Sequence, residues 1–135
     1  MPLKKLSLPA WTLLVSGLFT AIAVLPPLRP MLVVFFDLAF WPLDGTPAAL
    51  DEVDLLAAAV AGGVLSGWGM FMLALSRDCD PAKALTLGAM TWYIVDSTGS
   101  VIAGAPMNAA FNLGFLALIM WPVLASRSGT AQASS

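Results

Sequence analysis

The sequence predicts an all-α integral membrane protein with four transmembrane helices, and three observations support this fold class. Hydrophobic residues make up 59% of the 135 residues, charged residues make up only 10%, and the mean hydropathy is +0.89. In water such a chain would expose large apolar patches, whereas a bilayer solvates them. Four apolar stretches are also long enough to cross a hydrocarbon layer of roughly 30 Å at about 1.5 Å per residue.

Proline, glycine and aspartate residues set the limits of the four spans. Pro26 and Pro27 stop the first helix, Asp80 and Pro81 supply an N-cap and a first-turn proline for the third, and Gly104 begins a tight turn before the fourth. Because that turn is short, we expect the third and fourth helices to be antiparallel neighbours. The predicted spans cover residues 6–25, 53–76, 82–104 and 105–126.

The basic residues predict the orientation of the chain. With four crossings, five of the six Lys and Arg residues fall on one side and only Arg29 falls on the other. The positive-inside rule then places both termini in the cytoplasm and the first loop outside. The size and layout suit a small protein of a bacterial cytoplasmic membrane. The five basic residues on the cytoplasmic side are Lys4, Lys5, Arg77, Lys83 and Arg127.

The chain is predicted to form a single transmembrane domain over residues 1–127. The remaining residues, 128–135, read SGTAQASS, and this small, polar composition predicts a disordered cytoplasmic tail. The N-terminal segment has a second interpretation, because two lysines, an apolar run and the sequence AIA at residues 21–23 also resemble a cleavable signal peptide. Cleavage would leave three spans, and a purified chain starting near Val24 would reveal it.

The first outer loop contains an apolar run, residues 31–47, that is too short to span a membrane and is interrupted by Asp37. We expect a helix or hairpin in the outer interface, with Phe40 and Trp41 at the depth of the lipid headgroups. A re-entrant segment shielded by protein is the alternative. On the other side of the membrane, Trp11 and Trp121 are predicted to belong to the cytoplasmic aromatic belt.

Small residues are predicted to mediate helix packing, because helices in a bilayer associate where their backbones can approach closely. The second span carries a GxxxG motif formed by Gly63 and Gly67, and Gly62 and Ser66 repeat the same spacing. On the first span a hydroxyl stripe recurs at every fourth residue. We expect both patterns to pack inside the monomer, with a dimerisation seam or a ligand wall as the alternatives. The stripe consists of Thr12, Ser16 and Thr20.

Asp96 is the most unusual residue of the third span, since it is a carboxylate among apolar and small residues. Its helix face is rich in small and polar residues, so we expect it to point inward. A hairpin turning near residue 104 brings Asn112 to the level of Asp96 and Asn108 to the level of Ser100. The predicted result is a small polar pocket in the outer half of the membrane, to which Tyr93 is a further candidate.

A charged aspartate near the bilayer centre costs about 2.5 to 3.5 kcal/mol on insertion scales, so Asp96 must be protonated, paired or hydrated. One interpretation is functional, with the pocket holding a proton, a cation or a small polar or lipid ligand. The other is structural, with Asp96 forming an interhelical hydrogen bond worth about 0.6 to 2 kcal/mol. The sequence leaves both open.

Enzymatic chemistry finds little support in the sequence. The chain has no histidine and one cysteine, Cys79, which leaves no base for a serine or cysteine nucleophile and excludes most transition-metal sites. A second carboxylate near Asp96 is not predicted. We therefore expect no catalytic residues, no metal and no cofactor, and the absence of a basic patch argues against nucleic-acid binding.

Together these features predict a small non-enzymatic membrane protein. The preferred function is an accessory or scaffold subunit that packs against a larger membrane complex or forms a homo-oligomer. This expectation follows from the short chain, which has no catalytic residues and no large soluble domain. The alternative is a binding or transport module that uses the polar pocket around Asp96. No motif in the sequence is specific to a family of known activity.

Overall fold

The computed structural model describes the backbone of residues 6–39 and 49–132, and the side chains of these residues up to residue 125. The described residues form helices and connecting turns, in agreement with the predicted all-α class. A single 3-10 turn, Pro26–Leu28, connects the first two α-helices. The α-helices are α1 (Ser7–Ile22), α2 (Arg29–Ala39), α3 (Glu52–Ser76), α4 (Pro81–Ile102) and α5 (Pro106–Gln132).

Helix α3 lies at the centre of the structure, with α1 on one side and α4 on the other. Close approaches pair Gly17 with Gly62 and Leu14 with Gly69. On the other side of α3 they pair Gly63 with Asp96 and Gly67 with Trp92. In each pair of neighbouring helices the residue numbers run in opposite directions. Helix α1 is therefore antiparallel to α3, and α3 is antiparallel to α4. Helix α5 packs on α4 and completes an open, up-and-down arrangement of four helices.

The length and composition of the helices identify two or three candidate membrane spans in the described part of the chain. Glu52–Ser76 and Pro106–Ala125 qualify alone, and the pair Ser7–Ile22 and Pro26–Ala39 qualifies together, with a bend of 111° between them. Helix α1 alone has 16 residues, or about 24 Å, which is shorter than a hydrocarbon layer of about 30 Å. Helix α4 does not qualify, since Lys83, Asp96 and several hydroxyl residues lower its hydropathy.

Two of the predicted helix ends differ from the observed ones by more than two residues. Helix α1 ends at Ile22 rather than residue 25, because Pro26 favours an extended conformation for Leu25, which has φ −61° and ψ 135°. The backbone of α5 continues to Gln132, into the segment predicted to be disordered. Extending an existing helix by one residue costs far less free energy than nucleating a new helix, so a polar sequence can continue α5.

Helix α2 packs across the end of the bundle where α3 begins and α4 ends. Leu32 lies in an apolar cluster with Val24, Leu55 and Ala103, and Phe36 packs against that cluster. Other apolar side chains of α2 are exposed, as expected for a segment that contacts lipid or the interface. They are Met31, Val34, Phe35 and Leu38. Phe40, Trp41 and residues 42–48 lie outside the described residues.

The small residues of α3 form two packing faces. Gly62 and Ser66 face α1, and a Cβ atom built on Gly62 would lie 2.6 Å from the backbone nitrogen of Ala21. Gly63 and Gly67 face α4, and a Cβ atom on Gly67 would lie 2.5 Å from Cβ of Trp92. Both small-residue patterns of α3 are thus occupied within the monomer.

The hydroxyl stripe of α1, which was predicted to pack inside the monomer, does not lie on the helix face that contacts α3. Ser16 is exposed and Thr20 is only partly buried, and the Thr20 hydroxyl donates to the backbone oxygen of Ser16 at 2.9 Å. A hydroxyl that donates a hydrogen bond within its own helix needs no partner on another helix. Glycine and alanine, in contrast, allow two helix backbones to approach more closely. Helix α1 accordingly packs through Ala10, Leu14, Gly17 and Ala21.

Candidate functional site

Asp96 is the only charged side chain among the buried residues of the described structure, with 1% of its surface exposed. It lies in the second half of α4, on the face that meets both α3 and α5. The site is therefore built by three helices, with the carboxylate at their junction.

Three side chains donate hydrogen bonds to the Asp96 carboxylate. The indole Nε1 of Trp92 donates to Oδ2 at 3.1 Å, and the hydroxyl of Ser100 donates to Oδ1 at 3.0 Å. From α5, the amide Nδ2 of Asn108 donates to the same Oδ1 at 2.9 Å. A carboxylate that accepts from three donors has most of its hydrogen-bonding capacity met without a cation.

Asn108 also donates to the hydroxyl oxygen of Ser100 at 2.8 Å, so it lies beside Ser100 as the hairpin geometry predicted. Asn112 was expected at the level of Asp96, and its amide Nδ2 donates to the hydroxyl of the next residue, Ser97, at 3.4 Å. The predicted depth of Asn112 is therefore correct to one residue. The rotation of the two helices about their axes brings Asn112 to Ser97 instead of the adjacent Asp96. We call Trp92, Asp96, Ser97, Ser100, Asn108 and Asn112 the polar clasp.

Tyr93 takes no part in the hydrogen bonds of the polar clasp and is only partly buried. It follows Trp92 directly, and a step of one residue turns a side chain by about 100° around a helix. Trp92, four residues before Asp96, is a hydrogen-bond donor to the carboxylate that was not predicted from the sequence. The spacing of Trp92 and Asp96 indicates this contact, because residues four apart on a helix are neighbours.

The polar clasp is tightly packed on its α3 side. A Cβ atom built on Gly63 would lie only 2.4 Å from Cβ of Asp96, so the α3 backbone approaches Asp96 closely and leaves no room for a side chain at residue 63. Two apolar cavities, of 550 and 290 Å³, occur in the described structure, and neither includes Asp96 in its lining. The described residues also contain no buried side-chain nitrogen or oxygen without a hydrogen-bond partner.

The remaining candidate residues lie away from the polar clasp. Trp11 and Trp121 are exposed on α1 and α5, with 46% and 74% of their surfaces accessible, in the halves of these helices remote from the α4–α5 turn. Cys79 is a partly exposed free thiol in the loop between α3 and α4. Among the described residues, no group of three or more His, Cys, Asp or Glu side chains is placed to hold a metal ion.

These features define an all-helical chain with two or three candidate membrane-spanning helices and a buried polar cluster that links α4 to α5. A comparison of the chain with protein-family models, with curated proteins and with solved structures finds no match.

Proposed function

We propose that this chain is a small, non-enzymatic membrane subunit that spans the bilayer four times and packs as an accessory or scaffold against a larger membrane-protein complex. The observation that carries this proposal is the one-sided packing of α5. In an apolar 18-residue stretch of α5 only 11% of the residues are buried within the monomer, compared with 44% in such a stretch of α3. An apolar helix that packs against its own chain on one side alone leaves a long apolar surface on which a partner helix can pack.

The four-span arrangement is supported by the antiparallel order of the helices. Helix α4 has 22 residues, about 33 Å at 1.5 Å per residue, which suffices for a crossing. Asp96 and its hydrogen-bonding neighbours face α3 and α5, so α4 can cross although its mean hydropathy is low. Helix α1 is short, and a local thinning of the bilayer would accommodate it.

The charges of the described residues support the proposed orientation. Arg77 and Lys83 lie at the end of the bundle where α3 ends and α4 begins. The positive-inside rule assigns this end to the cytoplasm. The opposite end carries Asp51, Glu52 and Asp54, the first of which caps α3 by accepting from the backbone nitrogens of Val53 and Asp54. Helix α2 then lies in the outer interface or forms part of a re-entrant segment, since both fit its bend of 111°.

A binding or transport role for Asp96 has less support than the accessory role. The hydrogen-bond capacity of the carboxylate is largely used by Trp92, Ser100 and Asn108, and the backbone of α3 approaches it closely at Gly63. A ligand or cation would have to break these contacts before it reached the carboxylate. The polar clasp therefore favours a structural role within the subunit.

The proposal is tested by purifying the full chain from its native membrane in a mild detergent and measuring the mass and composition of the product. We expect a stoichiometric larger membrane protein to accompany it. Leu118→Trp adds bulk to the exposed surface of α5 and should release the partner, whereas Val15→Trp on α1 should retain it; these two side chains are 73% and 58% exposed. A chain that purifies alone, or equal retention by both variants, would contradict the proposal.

A further inference from the structure

The larger of the two apolar cavities, of 550 Å³, separates α5 from α3. On α5 it is lined by Phe115 and Ile119, on α3 its lining includes Phe71, and Leu85 of α4 forms part of its floor. In the described structure α5 packs on α4 and makes no extensive contact with α3. The facing side chains of α3 and α5 therefore have open space between them.

The first turns of α5 are held by hydrogen bonds. Asn108 and Asn112 donate to side chains of the polar clasp on α4 at 2.9 and 3.4 Å, respectively, and both lie before the cavity. In the segment of residues 115–125, Val123 is the single buried side chain. The polar clasp therefore fixes the start of α5 but does not fix the angle of its second half.

Gly114 lies between these two halves and differs from the other seven glycines within the described helices. At each of those seven, a Cβ atom would lie 2.8 Å or less from an atom of a neighbouring helix, whereas at Gly114 it would meet nothing within 4 Å. A glycine inside a helix costs about 1 kcal/mol relative to alanine. Close packing explains this cost at the seven other glycines but not at Gly114, where the wide range of backbone angles open to glycine allows the helix to bend.

Pro122 weakens the same half of α5 one step further along the chain. Proline has no N–H group, so the carbonyl oxygen of Leu118, four residues earlier, lacks its usual donor within the helix. The segment between Gly114 and Pro122 is thus bounded by two residues at which a helix bends at low cost.

We propose that Gly114 is a hinge about which the second half of α5 swings toward α3 and closes the cavity, while the polar clasp holds the first half against α4. The residues that line the cavity are apolar, aromatic or glycine, so closure brings mainly apolar surfaces into van der Waals contact. A hinge of this kind is a single position that absorbs the change in backbone angles between two arrangements.

A small bend at Gly114 is enough to move the far end of α5. Leu124 is ten residues after Gly114, about 15 Å along the axis, so a bend of about 20° displaces it by about 5 Å. This displacement is about half of the separation of roughly 8–10 Å between packed helices. The motion requires only the described helices, so it goes beyond the proposed function and does not depend on a partner protein.

The test measures the distance between two nitroxide labels by double electron–electron resonance in the full chain, reconstituted in lipid nanodiscs and carrying Cys79→Ser. One label is attached at Arg77→Cys, at the end of α3, and the other at Leu124→Cys beyond the hinge or at Leu113→Cys before it. Leu124 and Leu113 are 58% and 55% exposed, so the two positions are matched. We expect a second population about 5 Å shorter for the Leu124 pair and one population for the Leu113 pair.

Three further variants connect this distance change to the hinge and to the cavity. Gly114→Ala should lower the ratio of the short to the long population about fivefold, the factor that corresponds to about 1 kcal/mol of helix preference. Leu85→Trp fills the floor of the cavity and should remove the short population, whereas Leu87→Trp should retain it. These two leucines are 38% and 39% exposed, and only Leu85 lines the cavity. Circular dichroism verifies that each variant keeps the helix content of the parent chain.

A single population for the Leu124 pair in the parent chain would overturn the proposal, and so would an unchanged ratio in Gly114→Ala. Equal distances in the Leu85 and Leu87 variants would show that α5 does not close this cavity. Light scattering measures the mass of the same samples, and a dimer that Gly114→Ala dissociates would assign Gly114 to a contact between two copies instead of a hinge. Because the assay uses the isolated chain, its outcome is separate from the capture of a partner protein.

Discussion

The side-chain amide of Asn108 lies 2.9 Å from the carboxylate oxygen Oδ1 of Asp96, and this hydrogen bond joins α5 to α4. It lies close to the turn that connects the two helices, where Gly104 has φ +90°. Glycine adopts this left-handed conformation without the steric cost that a side chain would add. The turn and the hydrogen bond together fix the start of α5 against α4.

The first prediction concerns the need for a charge at Asp96. Asp96→Asn keeps one oxygen to accept from Ser100 and Asn108 but presents an NH₂ group to the Trp92 indole. We expect a loss of about 0.6 kcal/mol in the free energy of unfolding, the average for one hydrogen bond between membrane helices. Asp96→Ala removes all three acceptor contacts and should cost about 2 kcal/mol. Denaturant unfolding in detergent measures both values, and equal losses would show that the charge itself is required.

The second prediction compares the two asparagines of α5. Asn108 makes two hydrogen bonds of 2.9 and 2.8 Å, whereas Asn112 makes one of 3.4 Å. Asn108→Ala should therefore reduce the free energy of unfolding by about 1 to 1.5 kcal/mol and Asn112→Ala by about half as much. The same unfolding assay ranks the two variants. A larger effect at Asn112 would contradict this ranking and favour a contact of Asn112 with Asp96.

The third prediction concerns the close contact between α3 and α4. Gly63→Ala would place a methyl group 2.4 Å from Cβ of Asp96, so the helices must separate and strain the polar clasp. We expect a loss of about 1 to 3 kcal/mol in the free energy of unfolding, as is typical of overpacking. Gly114→Ala is the matched control, because a Cβ atom there would meet nothing within 4 Å. It should be neutral or stabilise the helix by up to about 1 kcal/mol. A tolerated Gly63→Ala would contradict the observed packing.

The fourth prediction concerns orientation, for which the single cysteine of the chain is a natural probe. Cys79 lies in the α3–α4 loop and is partly exposed, so a membrane-impermeant maleimide should label it in inverted vesicles but not in intact cells. A Cys79→Ser, Ala105→Cys chain moves the thiol to the opposite turn and should show the reverse pattern. Labelling of Cys79 in intact cells would overturn the proposed orientation.

Much of the architecture follows from local features of the sequence. Apolar composition predicts the membrane environment, Pro81 after Asp80 predicts the start of α4, and Gly104 predicts the turn before α5. These features act over a few residues, through backbone conformation and capping, and do not depend on the rest of the chain. The level of Asp96 relative to the α5 asparagines could also be counted from the turn, because the rise per residue of a helix is constant.

The tertiary structure decided how the helices are rotated against one another. It placed Ser97 rather than Asp96 opposite Asn112, and Gly17 rather than Ser16 at the contact between α1 and α3. A change of one residue turns a side chain by about 100° but moves it only about 1.5 Å along the axis. Depth can therefore be predicted from sequence counting, whereas the facing side chains depend on the packing of all the helices together.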